Sequence, residues 1–101
     1  MSEGKLDNKE ISVILQEVAL LLELKGENPF KVKAYSNAAR TINILEKDLA
    51  TIIKEGQLKE IKGVGDTIAH HIIELVTTGR LQLHEELKTS IPSGHLEMLK
   101  I

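Results

Sequence analysis

Cysteine is absent from this sequence of 101 residues. Disulfide bonds and thiolate metal ligands are therefore excluded, and nothing indicates an oxidising compartment. Aromatic residues are scarce, with one Tyr, one Phe and no Trp. The interior must then be built from Leu, Ile, Val and Ala, which favours packed helices over a β-sandwich.

Long hydrophobic runs are also lacking. No apolar segment approaches the roughly 20 residues that a membrane-spanning helix needs, and residues 1–6 are too polar for a signal peptide. We therefore expect no membrane partner and a cytoplasmic location. The apolar fraction of 42% is enough for one compact core, and the length is typical of a single domain.

A strong charge of one sign is missing as well, since the formal net charge is only -2. The charges are unevenly distributed, however. Residues 29–71 carry more Lys and Arg than Asp and Glu, whereas the segments on either side are acidic. An anionic partner should therefore contact the middle of the chain.

The first half of the sequence has the pattern of two helices. Asp7 and Glu10 have capping-box spacing and Gly26 is a stop signal, which predicts a helix over residues 8–25. This helix has two apolar stripes, so that it must pack deeply or meet a partner. The larger stripe contains Ile11, Ile14, Leu15, Val18 and Leu22, and the smaller contains Val13, Leu20 and Leu24. Pro29 is placed to begin a second helix over residues 29–45.

The second half has the pattern of shorter helices around a glycine-containing turn. Asp48 and Gly56 bound a third helix, and the turn at residues 63–65 precedes a fourth that begins at Asp66 or Thr67 and ends near Gly79. A fifth helix has one apolar stripe, and a last short helix follows Pro92 and Gly94. The stripe of the fifth contains Leu83, Leu87 and Ile91, and the last helix contains Leu96 and Leu99.

These patterns predict an all-α fold, a compact bundle of about five to six short helices with one helix-hairpin-helix motif. No convincing alternating apolar run predicts a strand. We expect a flexible tail over residues 1–7 and a single helical domain over residues 8–101.

The turn Gly63-Val64-Gly65 is the segment with the clearest functional pattern. Its two glycines allow a sharp bend and close approach of a ligand to the backbone, and Val64 is placed to pack beneath the hairpin. The amides of residues 65–67 would then lie at a helix N-terminus, where unpaired N–H groups and the helix dipole favour a phosphate. A plain tight turn between two helices would need the same glycines but no ligand.

Two motifs in order resemble the N-terminal, eight-kilodalton-type domain of family X DNA polymerases, most closely those of bacteria and archaea. The first is the run over residues 26–40, GENPFKVKAYSNAAR, and the second is IKGVG at residues 61–65, followed by TGRL at residues 78–81. The resemblance extends over roughly residues 8–101. It implies a DNA-repair module that holds the 5′-phosphate side of gapped or single-stranded DNA, with nucleoid association in a prokaryote.

The resemblance also implies roles for particular residues. Lys31, Tyr35 and Lys59 match positions that line a 5′-phosphate pocket, and Phe30 matches a position that stacks on an unpaired base. The main-chain carbonyls of Lys59, Ile61 and Val64 match a site for Na⁺ or K⁺. Together with the cations of the middle segment, the predicted DNA-binding set is Gly63, Val64, Gly65, Asp66, Thr67, Lys31, Lys33, Tyr35, Phe30, Arg40, Lys59, Lys62 and His71.

The sequence departs from the family pattern at several of these positions. His71 replaces the lysine that forms a Schiff base in some members, and an imidazole cannot form that iminium. Thr67 and Leu83 replace phosphate-pocket lysines, Lys62 replaces a proline, and Asp66 adds a negative charge beside the anion site. We therefore expect no catalytic residues, no required cofactor and modest affinity for DNA.

Other interpretations of the sequence stay open. The face of the fourth helix that carries Thr67, His71, Glu74 and Thr78 is either solvated or brings His71 to the ligand. The fold could serve protein–protein interaction through the second stripe of the first helix, or act as a sugar-phosphate lyase with Lys31 or Lys59 as nucleophile. The chain is too short for polymerase palm and fingers, so further polymerase domains would lie in a longer chain, and we expect a monomer.

Overall fold

The structure is a computed structural model that describes residues 7–90. Its first helix, α1 (Asn8–Leu24), begins at the predicted capping box: Glu10 N–H donates to the Asp7 carboxylate at 2.8 Å, and Asp7 N–H donates to the Glu10 carboxylate at 3.0 Å. The helix ends where Gly26 adopts a φ of 81°. Glu27 N–H then donates to the Leu22 carbonyl, which closes a Schellman motif.

The second helix, α2 (Pro29–Asn43), packs against α1 and the two form the largest interface among the described helices. Pro29 is its first residue, and the side chain of Asn28 accepts a hydrogen bond from Phe30 N–H at 2.8 Å. The helix ends two residues before the predicted Leu45. No glycine follows, and the last turn instead tightens into i→i+3 bonds, from Ile44 to Thr41 and from Leu45 to Ile42.

Small residues on α2 allow α1 to approach closely. Ala38 and Ala39 are buried, and Ser12 Oγ of α1 donates to the Ala39 carbonyl at 2.6 Å. The predicted larger stripe of α1 lies in this interface, with Ile14 half-buried and the others buried: Ile11, Leu15, Val18 and Leu22. The smaller stripe packs only in part, since Leu24 is half-buried against the core whereas Val13 is 62% exposed and Leu20 is 51% exposed.

Three shorter helices complete the core. They are α3 (Leu49–Lys54), α4 (Asp66–Thr78) and α5 (Gln82–Ser90), with a 3₁₀-helix at Leu58–Glu60 between the first two. Gly79 ends α4 with a φ of 80°. Leu75 faces the core from α4, whereas Ile73 is exposed.

The fifth helix is held against α1 and α4 by polar contacts as well as by buried leucines. His84 is buried, and its Nε2 hydrogen-bonds the carboxylate of Glu17 on α1. Glu74 of α4 accepts a hydrogen bond from Gln82 N–H at the start of α5, at 2.8 Å. These contacts fix the end of α4 that lies away from the glycine turn.

The predicted all-α class is confirmed, and residues 7–90 contain five α-helices and no strand. The predicted sixth helix, with Leu96 and Leu99, lies outside the described residues, as do residues 1–6 of the predicted tail over residues 1–7 and Ile91 of the fifth stripe. Among residues 7–90, none of the helices has the length and apolar character to cross a membrane.

Candidate nucleic-acid interface

The glycine turn connects the 3₁₀-helix to α4 and is fixed by one buried side chain. Gly63 has a φ of 88°, a conformation that favours glycine. Val64 is buried in the core, and its N–H donates to the Ile61 carbonyl at 3.1 Å. The hairpin is therefore held from beneath by Val64, as its position between two glycines indicates, and the Val64 amide is taken by this internal bond.

The four amides that follow Val64 make no hydrogen bond within the part of the chain that the structure describes. They belong to Gly65, Asp66, Thr67 and Ile68. Gly65 is the N-cap of α4 and has no side chain that could accept a hydrogen bond from these amides. After them, the next amide along the chain is that of Ala69, which donates to the Gly65 carbonyl at 2.8 Å. Unpaired N–H groups at a helix start carry a partial positive charge. This end of α4 is therefore an anion-accepting surface.

A groove of about 310 Å³ lies beside these amides. The first half of α2 forms one wall of this groove, and the glycine turn together with the start of α4 forms the other. Its lining residues are Lys31, Ala34, Tyr35, Gly63, Gly65, Asp66, Thr67 and Ile68. Burial raises the pKa of the Tyr35 hydroxyl, so that it stays protonated near neutral pH and can act as a hydrogen-bond donor. One ammonium, one phenol and the helix amides thus share a single concave surface.

His71 lies one turn further along α4 and packs against Tyr35, with ring centroids 5.9 Å apart. It is half-buried, and its Nδ1 is buried without a hydrogen-bond partner among the described residues. Burial lowers the pKa of His71, an effect that nearby Glu74 partly opposes. His71 is therefore neutral at pH 7. The interpretation of this face of α4 as fully solvated is wrong for His71.

Lys59 and Asp66 form an ion pair across the turn, with 2.7 Å between Nζ and Oδ1. The hydrogen bond and the charge of Lys59 lower the pKa of the Asp66 carboxyl. Both side chains are largely exposed. The negative charge that the sequence places beside the anion site is therefore present, but it is matched by the lysine on the opposite side of the hairpin.

Three other residues of the predicted set lie on a different surface. Phe30, Lys33 and Arg40 line a groove of about 430 Å³ between the end of α1 and α2. Phe30 is 83% exposed. Since Lys33 follows Lys31 by two residues, the helical period puts the two lysines on different sides of α2. The acidic residues Glu23 and Glu27 also line this second groove, which reduces its positive character.

Lys62 lies on a third surface. It lines a groove of about 340 Å³ with Leu45, Lys47 and Glu60, and this groove shares no lining residue with the first groove. The structure therefore brings together the hairpin, Lys31, Tyr35 and Thr67, with His71 and Lys59 each in contact with a member of the first groove. Phe30, Lys33, Arg40 and Lys62 are not part of that cluster.

The carbonyls predicted to hold a monovalent cation have free lone pairs. Those of Lys59 and Val64 accept no hydrogen bond among the described residues, and that of Ile61 accepts only one, from Val64 N–H. Main-chain carbonyls are suitable ligands for Na⁺ or K⁺, and a cation at these three carbonyls stays a prediction. Within residues 7–90, no group of three or more His, Asp or Glu is arranged to bind a metal.

Two features of the site were missed by the sequence analysis. Ala34 and Ile68 line the first groove, and their small or inward side chains gave no chemical signal. The Lys59–Asp66 pair was also missed, although both residues had been singled out separately. They lie in different helices on either side of the turn, so that no periodicity within one element pairs them.

The chain is also similar in sequence to known proteins. Residues 6–81 match the sequence profile of the family described as "Helix-hairpin-helix domain". The chain is 31% identical over 96 residues to the DNA polymerase/3′-5′ exonuclease PolX of Bacillus subtilis (strain 168), which covers 95% of the chain and 16% of that protein. It is 30% identical over 82 residues to DNA polymerase lambda of Arabidopsis thaliana, covering 81% of the chain and 15% of that protein. The chain thus spans about a sixth of the length of these curated relatives.

Proposed function

The chain belongs to the helix-hairpin-helix domain family, and from this premise we propose that it is a non-catalytic module that binds DNA by its phosphate backbone. The resemblance to family X DNA polymerases is confirmed by the similarity to PolX and polymerase lambda. The observation that carries the proposal is the row of unpaired amides at residues 65–68, which faces a groove containing Lys31.

Recognition in this mode is independent of base sequence. Amides at a helix N-terminus donate to phosphate oxygens, which are the same at every nucleotide. On the α2 side of the groove, Lys31 adds a point charge and the protonated Tyr35 hydroxyl adds a hydrogen-bond donor. The module would therefore hold a strand in a fixed position without reading its bases. We propose the 5′-phosphate side of gapped or single-stranded DNA as its ligand.

The second groove would contact DNA beyond this phosphate. Phe30 is exposed enough to stack on an unpaired base, an interaction worth about 1 to 3 kcal/mol in other proteins. Lys33 and Arg40 lie in the same groove and would neutralise neighbouring phosphates. Lys62, on the third surface, would act only on DNA that wraps further around the hairpin.

A monovalent cation at the carbonyls of Lys59, Ile61 and Val64 would strengthen the site. It would add a positive charge beneath the hairpin, next to the amides that accept the phosphate. This site is part of the proposal, and its test is whether Na⁺ or K⁺ strengthens binding relative to a bulky organic cation at equal ionic strength.

The module acts without catalysis in this proposal, and polymerase activity would belong to further domains of a longer chain. His71 is half-buried and neutral, and it has no primary amine for a Schiff base. A lyase would need Lys31 or Lys59 instead. Borohydride reduction in the presence of DNA with an abasic site should therefore trap no covalent complex, and a trapped complex would contradict a purely binding role.

A second candidate function rests on the exposure of Val13 and Leu20 on α1. Two large apolar side chains on one helix surface suit contact with another copy of this chain. In that case the chain would have the same fold but would not bind DNA. Sedimentation equilibrium would then give a mass above that of the monomer, whereas the DNA-binding proposal predicts a monomer.

Titration of a labelled gapped duplex tests the proposal directly. Fluorescence anisotropy should show binding that is unaffected when the base sequence is scrambled and that weakens steeply with salt, because phosphate neutralisation releases counterions. Lys31→Ala should weaken binding to all sequences and reduce the salt slope by about one unit. Lys54→Ala provides the matched control, since Lys54 is an exposed lysine of α3 that lines none of the three grooves. Binding restricted to one sequence, or no binding at low salt, would contradict the proposal.

A further inference from the structure

The ion pair between Lys59 and Asp66 has no evident structural purpose. Its two atoms are 2.7 Å apart, but the side chains are 68% and 85% exposed. Exposed pairs of this kind contribute little to stability because water competes for both charges. The hairpin is already fixed by the buried Val64 and by the Val64–Ile61 backbone bond. The role of the pair therefore lies in ligand binding rather than in stability.

Asp66 is placed where it interferes with an anionic ligand. It is the first residue of α4, within the row of unpaired amides, and it lines the same groove as Lys31. A phosphate bound to these amides would lie within about one helical turn, roughly 5 Å, of the Asp66 carboxylate. Lys59, which could otherwise pair with that phosphate, is already occupied by Asp66.

We propose that Asp66 is a specificity-determining residue, whose carboxylate occupies Lys59 in the free protein and must release it to a DNA phosphate. The inference rests on the proposed function of the hairpin. It predicts that Asp66 lowers affinity for every phosphate and lowers it most for a terminal phosphate. A terminal phosphate carries a charge of about -1.5 to -2 near neutral pH, whereas a phosphodiester inside the strand carries a single negative charge.

The magnitude follows from the two effects of the carboxylate. Repulsion between single charges at about 5 Å in water weakens binding roughly threefold, and release of an exposed ion pair adds a factor of up to about five. Asp66→Asn should therefore tighten binding to DNA with a 5′-hydroxyl roughly tenfold. The gain should be larger for the same DNA with a 5′-phosphate, and the salt slope should steepen by about one unit as Lys59 becomes available.

The experiment compares Asp66→Asn, Lys59→Ala and the double variant with the unmodified chain by fluorescence anisotropy. Each is titrated with one gapped duplex bearing either a 5′-phosphate or a 5′-hydroxyl, at several salt concentrations. Glu55→Gln is the matched control, since it removes an exposed carboxylate 2.7 Å from Lys47 and changes the net charge equally. Gly65→Val, which places a bulky side chain at the start of the amide row, reports whether binding depends on the hairpin.

Three results support the inference together: a gain for Asp66→Asn well above that of Glu55→Gln, a larger gain with the 5′-phosphate, and a gain of only about threefold when Lys59 is already Ala. Equal gains for Asp66→Asn and Glu55→Gln would overturn it, because net charge alone would then explain the effect. Equal gains with and without Lys59 would also overturn it. If the unmodified chain binds no DNA, or if Gly65→Val binds equally well, the proposed function itself fails and the inference fails with it.

Discussion

Substitution of Gly65 separates the stability of the hairpin from its ability to bind DNA. The backbone at Gly65 is extended, with φ -94° and ψ -171°, so that any residue adopts it. A Cβ built there meets no atom within 4 Å. The space that a side chain would fill is open in the free protein, and it lies next to the amides of residues 66–68.

Substitution of Gly65 by serine, alanine or valine should therefore affect the stability of the fold and its affinity for DNA differently. Serine is a good N-cap and should stabilise α4 slightly, whereas Gly65→Ala and Gly65→Val should change the free energy of unfolding by no more than about 1 kcal/mol. Affinity should fall with side-chain size instead. Loss of one charge-assisted hydrogen bond to phosphate costs about 1.5 to 3 kcal/mol, and so Gly65→Val should weaken DNA binding at least roughly tenfold.

Urea denaturation and anisotropy on the same samples give the two quantities. Thr51→Val, at an exposed position of α3, controls for adding a valine to the surface. A Gly65→Val variant that unfolds like the unmodified chain and binds DNA with unchanged affinity would refute the reasoning, since the phosphate could not then approach this end of α4.

Three further predictions concern other parts of the structure. Phe30→Ala should weaken binding to gapped DNA by about 1 to 3 kcal/mol while leaving urea denaturation unchanged, because the ring is exposed; equal loss on fully paired DNA would argue against stacking. Ile42→Ala, which opens a cavity between α1 and α2, should cost about 2 to 5 kcal/mol of unfolding free energy, and a loss below about 1 kcal/mol would contradict the packing. Because the pKa of His71 is lowered in the folded protein, His71 binds a proton more readily in the unfolded chain than in the folded one. Stability should therefore fall as the pH drops below about 6.5. In urea denaturation at several pH values His71→Phe should lack this part of the decline, and an identical pH profile would show that His71 does not titrate as described.

The helix boundaries were largely predictable because local signals determine them. Asp7, Glu10, Pro29 and Gly79 each act within one turn of the residue they cap or follow. The starts of α1 and α2 and the end of α4 lie where these signals place them. The end of α2 was predicted too late because no glycine or proline defines it. There the chain turns through weak i→i+3 bonds, which leave little trace in the sequence.

The site was only partly predictable, because its grouping depends on contacts between helices. The turn and its amides follow from Gly63 and Gly65, but the half-burial of His71 depends on Tyr35 of α2, which no periodicity within α4 reveals. The separation of Lys31 from Lys33 follows from the helical period alone. Which of the two faces the hairpin is determined by the packing of α2 against the rest of the bundle.

Amide chemical shifts, followed by NMR during titration with gapped DNA, test the central claim most directly. The account predicts that the amides of residues 65–68 shift most, and more with a 5′-phosphate than with a 5′-hydroxyl on the same DNA. The Val64 amide, bonded to Ile61, should shift less. Shifts centred on Val13 and Leu20 of α1, with the start of α4 unchanged, would contradict it.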